Sequence, residues 1–315
     1  MKNVLFAAVL AAVTISAISC NKDNPSERIG GDRETHILKV SVGAPQTKLV
    51  GPGSETAISN LQIFAFREDG LLESYFSGLS TEGDLRLSTG YKEIRVLVNA
   101  PDMGNSISSL SALESAFSMY SENSKDKFVM AGTTSVSIPD DREIYIQVHR
   151  LVSKLILKKI TTSFSSPVFK NAGFRIDAVY LTNVAEKCSF FSDYTPDSWY
   201  VGNSQLMSDK SLSLTFSGNE SKTQDLNYYV YPNDPSESSV QTRIVVEATL
   251  GSFGKQYYPV DLGELESNKV YTISEMFITR PGSDSPDTPV VSEEVEYFIE
   301  VADWDNSKPS VTEVI

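Results

Sequence analysis

The sequence predicts an all-β protein made of antiparallel sheets that pack as sandwiches, and three observations support this prediction. Apolar and polar residues alternate with a period of two over most of the chain from His36 onward, as in strands that bury one face. Turn-forming residues punctuate the alternation, for example the Gly and Pro residues at 51–53 and 280–282. Only one segment carries helical spacing instead.

Each predicted strand is a short run whose apolar side chains fall on one face. In chain order, the runs lie at residues 38–42, 94–98, 144–148, 151–160, 174–181, 243–250 and 270–279. The helical spacing lies between the second and third runs, at Leu110, Leu113, Phe117 and Tyr120. Ser108 or Ser109 is its candidate N-cap, and its apolar stripe predicts packing against a sheet.

The length of 315 residues indicates two domains or one large one. A boundary is expected near 147–151, where one strand pattern passes almost directly into the next. A second break is the stretch 281–289, which has the composition of a linker. Beyond it lies an isolated strand, one face of which carries Val295, Tyr297, Ile299 and Val301. This strand must add to a sheet edge, either of its own chain or of another.

The N-terminal residues predict export. Lys2 precedes an apolar run over 4–18, which has the layout of a signal peptide and is short for a membrane span. The run ends at 17–20 in Ala-Ile-Ser-Cys, which has the pattern of a bacterial lipoprotein box. Cys20 would then be the first residue of the mature protein and would carry the lipid. The alternative is an ordinary signal peptide followed by a chance cysteine.

Charge and the scarcity of reactive side chains disfavour several functions. The chain has 27 Lys and Arg against 41 Asp and Glu, a formal net charge of −14 at pH 7, which disfavours nucleic-acid binding. Cys20 and Cys188 are too few for a disulfide framework, and His36 and His149 are too few for a His-rich zinc site. No motif supports a Cys188–His149 nucleophile pair. We therefore predict that the protein is not an enzyme and holds no metal or cofactor.

Two carboxylate pairs and one tryptophan each have two interpretations. Asp140 with Asp141, and Asp303 with Asp305, could serve glycoside hydrolysis or calcium binding. Turn acids are the favoured interpretation, because the whole protein is acidic. Trp304 ends the last strand and could be a core plug, an anchor at a subunit interface, or both.

Loop aromatics and the second cysteine also have a functional and a structural interpretation. Tyr194, Trp199 and Tyr200 could form a platform that stacks on a sugar, or they could cap a sandwich. Cys188 could be a reactive thiol or a buried small apolar residue. The structural interpretation is favoured in both cases.

Six short segments are each too degenerate to indicate a family, but their order along the chain is more specific. The segments are 37–42 with 46–48, 94–100, 128–132, 148–154, 267–271 and 302–304. In this order, and behind a lipoprotein signal, they resemble the fimbrillins, or type V pilins, of Bacteroidales bacteria. The first resembles the first strand and processing loop of that family. The segment 148–154, Val-His-Arg-Leu-Val-Ser-Lys, resembles the strand that opens its second domain.

The resemblance implies two transthyretin-like β-sandwich domains with a C-terminal donor-strand extension. The implied parts are a lipoprotein signal peptide over 1–19, a lipidated propeptide with the first strand over 20–48, an N-terminal sandwich over 49–147, a C-terminal sandwich over 148–280, and a linker with the donor strand over 281–315. The resemblance also implies a location at the outer membrane and in cell-surface fimbriae.

The resemblance implies assembly by strand exchange as well. A trypsin-like maturation protease removes the segment through the first strand, and a neighbouring subunit's C-terminal strand then fills the vacated groove. The cut maps to the Lys48–Leu49 bond, where stalk subunits of the family have Arg in place of Lys. The donor strand maps to Val295, Tyr297, Ile299 and Val301, with Trp304 at its end.

Two functions are therefore expected. The first is a structural subunit of fimbriae that is exported as a lipoprotein, processed, polymerised by donor-strand exchange, and active in adhesion. The alternative is a surface lipoprotein that is not itself polymerised and acts as a fimbrial tip or anchor subunit or as a glycan-binding module. The expected partners are other fimbrial subunits, the maturation protease, and the outer membrane through the lipid on Cys20.

Overall fold

The computed structural model describes residues 34–43, 55–209, 212–237, 240–288, 294–304 and 309–314. Strands dominate these residues, so the prediction of an all-β fold is confirmed. Cys20, Lys48 and Leu49 lie outside the described residues. Within the described ranges, no helix has the length and apolar character needed to cross a membrane.

The first half of the described chain, up to residue 150, forms two facing sheets. Its elements are β1 (Thr35–Gly43), β2 (Leu61–Arg67), β3 (Leu72–Gly78), β4 (Glu82–Ser88), β5 (Gly90–Val98), α1 (Leu110–Glu114), β6 (Phe117–Met119), β7 (Met130–Ile138), β8 (Glu143–Gln147) and β9 (His149–Arg150). One sheet has the order β4-β1-β8 and the other has the order β3-β2-β5-β7-β9. The core between them contains Leu38, Val40 and Val42 of β1 together with Ile63 and Val96 of the other sheet.

The second half forms a second pair of sheets. Its elements are β10 (Ser153–Thr162), α2 (Pro167–Lys170), β11 (Phe174–Thr182), β12 (Lys187–Ser189), β13 (Ser208–Asp209), β14 (Leu214–Phe216), β15 (Ser221–Val230), β16 (Arg243–Leu250), β17 (Lys255–Asp261), β18 (Lys269–Ile278), β19 (Val295–Asp303) and β20 (Pro309–Val314). The sheet orders are β15-β10-β18-β19-β20 and β13-β11-β16-β17, with β14 also paired to β11. The core contains Leu155, Ile273 and Ile299 of the first sheet and Val179 and Val246 of the second.

The two halves repeat one arrangement of strands. In each, the first long strand lies between an antiparallel and a parallel neighbour: β1 between β4 and β8, and β10 between β15 and β18. The prediction of antiparallel sheets is therefore wrong at β1–β8 and at β10–β18. Parallel neighbours are joined by long connections rather than tight turns, so local periodicity cannot reveal them.

The segment with helical spacing is only partly helical. Ser109 caps α1, because its Oγ accepts a hydrogen bond from the backbone N–H of Ala112 at 3.2 Å. The rest of the segment is different: β6 pairs with β12, and a 3₁₀ turn covers Tyr120–Glu122. Pairing with a strand far along the chain overrides the local spacing here, and this pair connects the two halves.

The C-terminal strand belongs to the second half. β19 pairs antiparallel with β18, with Ile299 opposite Ile273, and β20 pairs with β19. Before β19, the stretch over 281–288 is tied to β17, because the backbone groups of Ser283 and Tyr257 exchange hydrogen bonds of 2.8 and 2.9 Å. Of the two alternatives that the sequence leaves open, the structure has the strand on its own chain.

Candidate strand-exchange site

β1 is the central strand of its sheet and has ladder partners on both sides. It runs antiparallel to β4 and parallel to β8. The backbone N–H of Lys39 donates to the carbonyl oxygen of Arg142 at 2.9 Å, and that of Val42 donates to the carbonyl oxygen of Thr81 at 2.8 Å. Removal of β1 alone would leave unpaired backbone groups on two facing strand edges.

The two faces of β1 differ, as the period of two predicts. Leu38 and Val40 are fully buried and Val42 is 5% exposed, whereas Ile37 on the other face is 57% exposed. The buried side chains pack in the middle of the first core, between the two sheets of the first half. The space that β1 occupies is therefore a groove with apolar walls, closed on each side by a hydrogen-bonding edge.

Lys39 links β1 to both neighbours on the exposed face. Its Nζ lies 3.2 Å from a carboxylate oxygen of Glu82 on β4 and 3.6 Å from one of Glu143 on β8. The hydrogen bond and charge of Glu82, with the charge of Glu143, raise the pKa of Lys39. These are solvent-exposed ion pairs, so they contribute little stability and mainly fix register.

The residues predicted to be donated are part of the second core. Val295 is 2% exposed, Tyr297 8% and Ile299 1%, and Val301 is partly buried against the same cluster. The hydroxyl of Tyr297 donates to the carbonyl oxygen of Asp261 on β17 at 3.2 Å. In this structure β19 is thus a core strand of its own chain, and its donation to another chain stays a prediction.

Trp304 lies between the two halves of the chain. It is 2% exposed and packs against Phe128 from the first half and Tyr229 from the second, with ring centroids 6.0 and 5.9 Å away. The guanidinium carbon of Arg150, a fully buried residue, lies 4.4 Å from the centroid of the Trp304 ring. The core-plug interpretation describes these contacts, and an anchoring role between subunits stays a prediction.

Glu55 follows the expected processing site in the chain and contacts residues that surround Trp304. Its Oε1 accepts hydrogen bonds from Lys154 Nζ at 2.8 Å and from the Tyr229 hydroxyl at 2.7 Å. Its backbone oxygen accepts from Arg150 Nε at 3.0 Å. Burial opposes ionisation of Glu55, but the hydrogen bonds from Lys154 and Tyr229 outweigh it and lower its pKa. Sequence reasoning missed this cluster, although Arg150 and Lys154 stand in the segment that resembles a domain-opening strand.

The only thiol that the structure describes is buried. Cys188 lines the same cleft as His149, but it is 7% exposed and its Sγ donates to the carbonyl oxygen of Ser189 at 3.3 Å. Burial raises the pKa of Cys188 to about 12, so the thiol is protonated at neutral pH. The interpretation as a small buried residue describes this position.

Asp140 and Asp141 sit in a turn, and Asp303 ends β19. Asp141 Oδ2 accepts from the backbone N–H of Ser137 at 2.8 Å, and Asp303 Oδ1 accepts from Lys269 Nζ at 2.7 Å. Asp305 lies outside the described residues. In the part of the chain that the structure describes, no three His, Cys, Asp or Glu side chains come together in a way that could hold a metal ion.

The three loop aromatics do not form one platform. Tyr194 packs edge-on against Phe117 with ring centroids 4.9 Å apart, whereas Tyr200 packs against the buried ring of Tyr120 at 5.0 Å. Trp199 is partly buried, and its backbone bridges to Ala185. The rings therefore have separate partners, and the structure offers no stacking surface that joins them.

Comparison with known proteins agrees with this architecture. A model of the family described as fimbrium tip subunit Fim1C-like, C-terminal domain, matches residues 151–260. Comparison with curated proteins gives no match. A solved structure of a protein assigned to cell adhesion, from Bacteroides eggerthii, is 17% identical with a TM-score of 0.65, over 87% of this chain and 98% of that one.

Two further solved structures are named for fimbriae. A fimbrilin from Porphyromonas gingivalis is 13% identical with a TM-score of 0.63, over 85% of this chain and 97% of that one. The tip fimbrial protein Mfa3 from the same organism, with a C-terminal truncation, is 12% identical with a TM-score of 0.51, over 86% and 100%. At these identities the solved structures establish the fold. The family match over residues 151–260 agrees with the resemblance to fimbrillins that the sequence shows.

Proposed function

We propose that this chain is a subunit of cell-surface fimbriae that gives up β1 on maturation and receives a neighbour's strand in its place. The observation that carries the proposal is the position of β1, which is central in its sheet and buries alternate side chains in the first core. Leu38, Val40 and Val42 at about 1.5–3 kcal/mol each give roughly 4–9 kcal/mol of apolar burial for whichever strand fills the groove. Ladder hydrogen bonds on two sides add about 0.5–1.5 kcal/mol apiece.

Maturation is proposed to follow the route that the sequence indicates. The precursor is exported, carries a lipid on Cys20 at the outer membrane, and is cut between Lys48 and Leu49. Lys48 follows the end of β1 at Gly43, and the chain is held again at Glu55, so a cut there separates β1 from the body of the protein. After the cut, the new N-terminal segment stays attached to the body of the protein through the contact between Glu55 and Lys154.

We further propose that the subunit sits at the fibre tip, receiving a strand without donating one. Withdrawal of β19 would expose Val295, Tyr297 and Ile299, at a cost of roughly 4–9 kcal/mol in the second core. The remaining candidate is β20, whose sequence Pro-Ser-Val-Thr-Glu-Val contains two valines among otherwise polar residues and proline. Such a strand is a poor substitute for the apolar face of β1. The similarity of residues 151–260 to a tip-subunit family supports the same position.

Limited proteolysis and strand rebinding test the proposal. Trypsin treatment of the folded chain is expected to give a new N-terminus at Leu49, and the variant Lys48→Gln is expected to keep β1. After mild denaturation removes the cut segment, a labelled peptide of residues 34–43 is expected to bind. The same peptide with Val40→Asp serves as the matched control and is expected not to bind.

The oligomeric state of the cut protein distinguishes a tip subunit from a stalk subunit. A tip subunit is expected to remain monomeric at high concentration while it binds the β1 peptide. A ladder of oligomers that disappears when residues 294–314 are deleted would instead assign β19 the donor role of a stalk subunit. A cut chain that retains its shape but binds no β1 peptide would refute strand acceptance itself.

A further inference from the structure

The strands on either side of β1 carry carboxylates on their solvent-exposed faces. Glu82 and Asp84 belong to β4, Glu143 belongs to β8, and all three residues are exposed. In the register of the sheet, Asp84 and Glu143 lie opposite Lys39 on its two sides, and Glu82 lies opposite Ser41. Two different strands therefore bring three negative charges to one level of the strand that runs between them.

The strand that fills the groove in this structure supplies a cation at that level. Lys39 is the only Lys or Arg of β1, and its Nζ lies 3.2 Å from a carboxylate oxygen of Glu82 and 3.6 Å from one of Glu143. Successive side chains of a strand point to opposite faces, so a cation between two core-facing apolar residues reaches this site. β1 thus shows which pattern the groove accepts: apolar residues toward the core, with a cation between them.

The C-terminal strands of the chain have a different pattern. On β19 the face opposite the apolar one carries Glu296, Phe298 and Glu300, all exposed. Whichever three consecutive residues of its apolar face fill the core positions of the groove, in either chain direction, a glutamate falls at the level of Lys39 or of Ser41. Both levels adjoin Glu82. The sequence of β20 contains no Lys or Arg either.

We infer that the vacated groove selects a donor strand from a different subunit, one that carries Lys or Arg at the level of Lys39 between side chains that enter the core. The inference rests on the proposed function, because it concerns the strand that replaces β1. A cation at this level meets carboxylates from both neighbouring strands, whereas an acidic side chain adds a further like charge to them. Neither β19 nor β20 of a second copy provides the required cation.

Binding of two labelled peptides to the cut chain, freed of its own β1, tests this inference. One peptide has the sequence of residues 34–43, and the other is the same peptide with Lys39→Glu. The unchanged peptide is expected to bind about tenfold more tightly, because the substitution replaces attractive contacts on both sides with repulsive ones. In the variant protein Glu82→Lys with Glu143→Lys, the preference is expected to reverse in favour of the Lys39→Glu peptide.

A matched control separates the local contacts from net charge. The variant Glu68→Lys with Glu264→Lys makes the same change in net charge at two exposed residues that lie on neither β4 nor β8. It is expected to keep the preference for the unchanged peptide. A labelled peptide of residues 294–303, which carries β19, is expected to bind the parent protein more weakly than the β1 peptide does.

The outcomes distinguish this inference from the proposed function. Equal binding of the unchanged and Lys39→Glu peptides, or the same preference in the two double variants, would overturn charge selection while strand acceptance stands. A β19 peptide that binds as tightly as the β1 peptide would overturn the assignment of the donor to a different subunit. A failure of every peptide to bind would refute strand acceptance, and the inference with it.

Discussion

Whether β19 is a permanent part of the second sandwich can be decided by one substitution, Ile299→Ala. Ile299 is 1% exposed and lies opposite Ile273, which is fully buried in the adjacent strand β18. If β19 stays on its own chain, this truncation leaves a cavity in the second core. If the strand is only loosely held before donation, the isolated subunit is expected to tolerate the change.

The magnitude of the effect follows from the number of atoms removed. Truncating Ile to Ala deletes three buried carbon groups, which at about 0.8 kcal/mol each gives roughly 2.4 kcal/mol of lost burial. The unfilled cavity adds to this, so the expected loss in the free energy of unfolding is about 3–4 kcal/mol. With a urea m value of about 3 kcal/mol/M, the unfolding midpoint falls by roughly 1 M.

Urea unfolding of the exported chain, followed by tryptophan fluorescence, measures this loss. Trp199 and Trp304 are the two tryptophans of the chain, and Trp304 directly follows β19, so their emission reports on the strand concerned and on its contacts with both halves. Phe298→Ala is the matched control, because Phe298 is 50% exposed on the opposite face of the same strand. It is expected to cost about 0.5 kcal/mol. Equal midpoints for the two variants would refute the assignment of β19 to its own core.

Three further predictions concern other buried groups. In a chain without Cys20, Cys188 is expected to resist thiol reagents at pH 8 until urea unfolds the protein, because its raised pKa and burial withhold the thiolate. Glu73→Gln is expected to lower the free energy of unfolding by about 3 kcal/mol, because it leaves the nearly buried ammonium of Lys92 without its carboxylate, now 3.1 Å away. Glu55→Gln is expected to cost about 1–3 kcal/mol at pH 7. Since folding lowers the pKa of Glu55 from 4.5, this difference is present above that pH and is lost as the pH falls below it.

Each of these expectations has an outcome that contradicts it. Stoichiometric labelling of Cys188 in native buffer would show that the thiol is accessible. Unfolding curves of Glu73→Gln that match the parent protein would show that Lys92 finds another partner. For Glu55, measurements at several pH values are decisive, because a difference that persists unchanged at pH 3 would rule out a contribution from the ionised carboxylate.

Features that depend on local chain order were predictable from the sequence. The alternation at 38–42 predicts a strand and identifies its buried side chains, because both follow from the period of the pleat. The same reasoning identifies the buried face of β19. It fails at 117–120, where the spacing of apolar residues indicates a helix and long-range pairing with β12 produces a strand.

Features that depend on distant pairing were not predictable. Glu55 contacts Lys154 across 99 positions and Tyr229 across 174, and no periodicity relates residues so far apart. The parallel pairing of β1 with β8 likewise becomes visible only when the sheet is assembled.

The contrast between β1 and β19 argues for a subunit that receives a strand and gives none. Both strands bury three apolar side chains, but those of β1 contact only the first core. β19 leads directly into Trp304, whose partners come from both halves and include the buried guanidinium of Arg150. Withdrawing either strand would open a core, but withdrawing β19 would in addition displace the ring that covers the buried guanidinium of Arg150. Under the proposed strand exchange, we expect a chain with this asymmetry to close one end of a fibre rather than extend it.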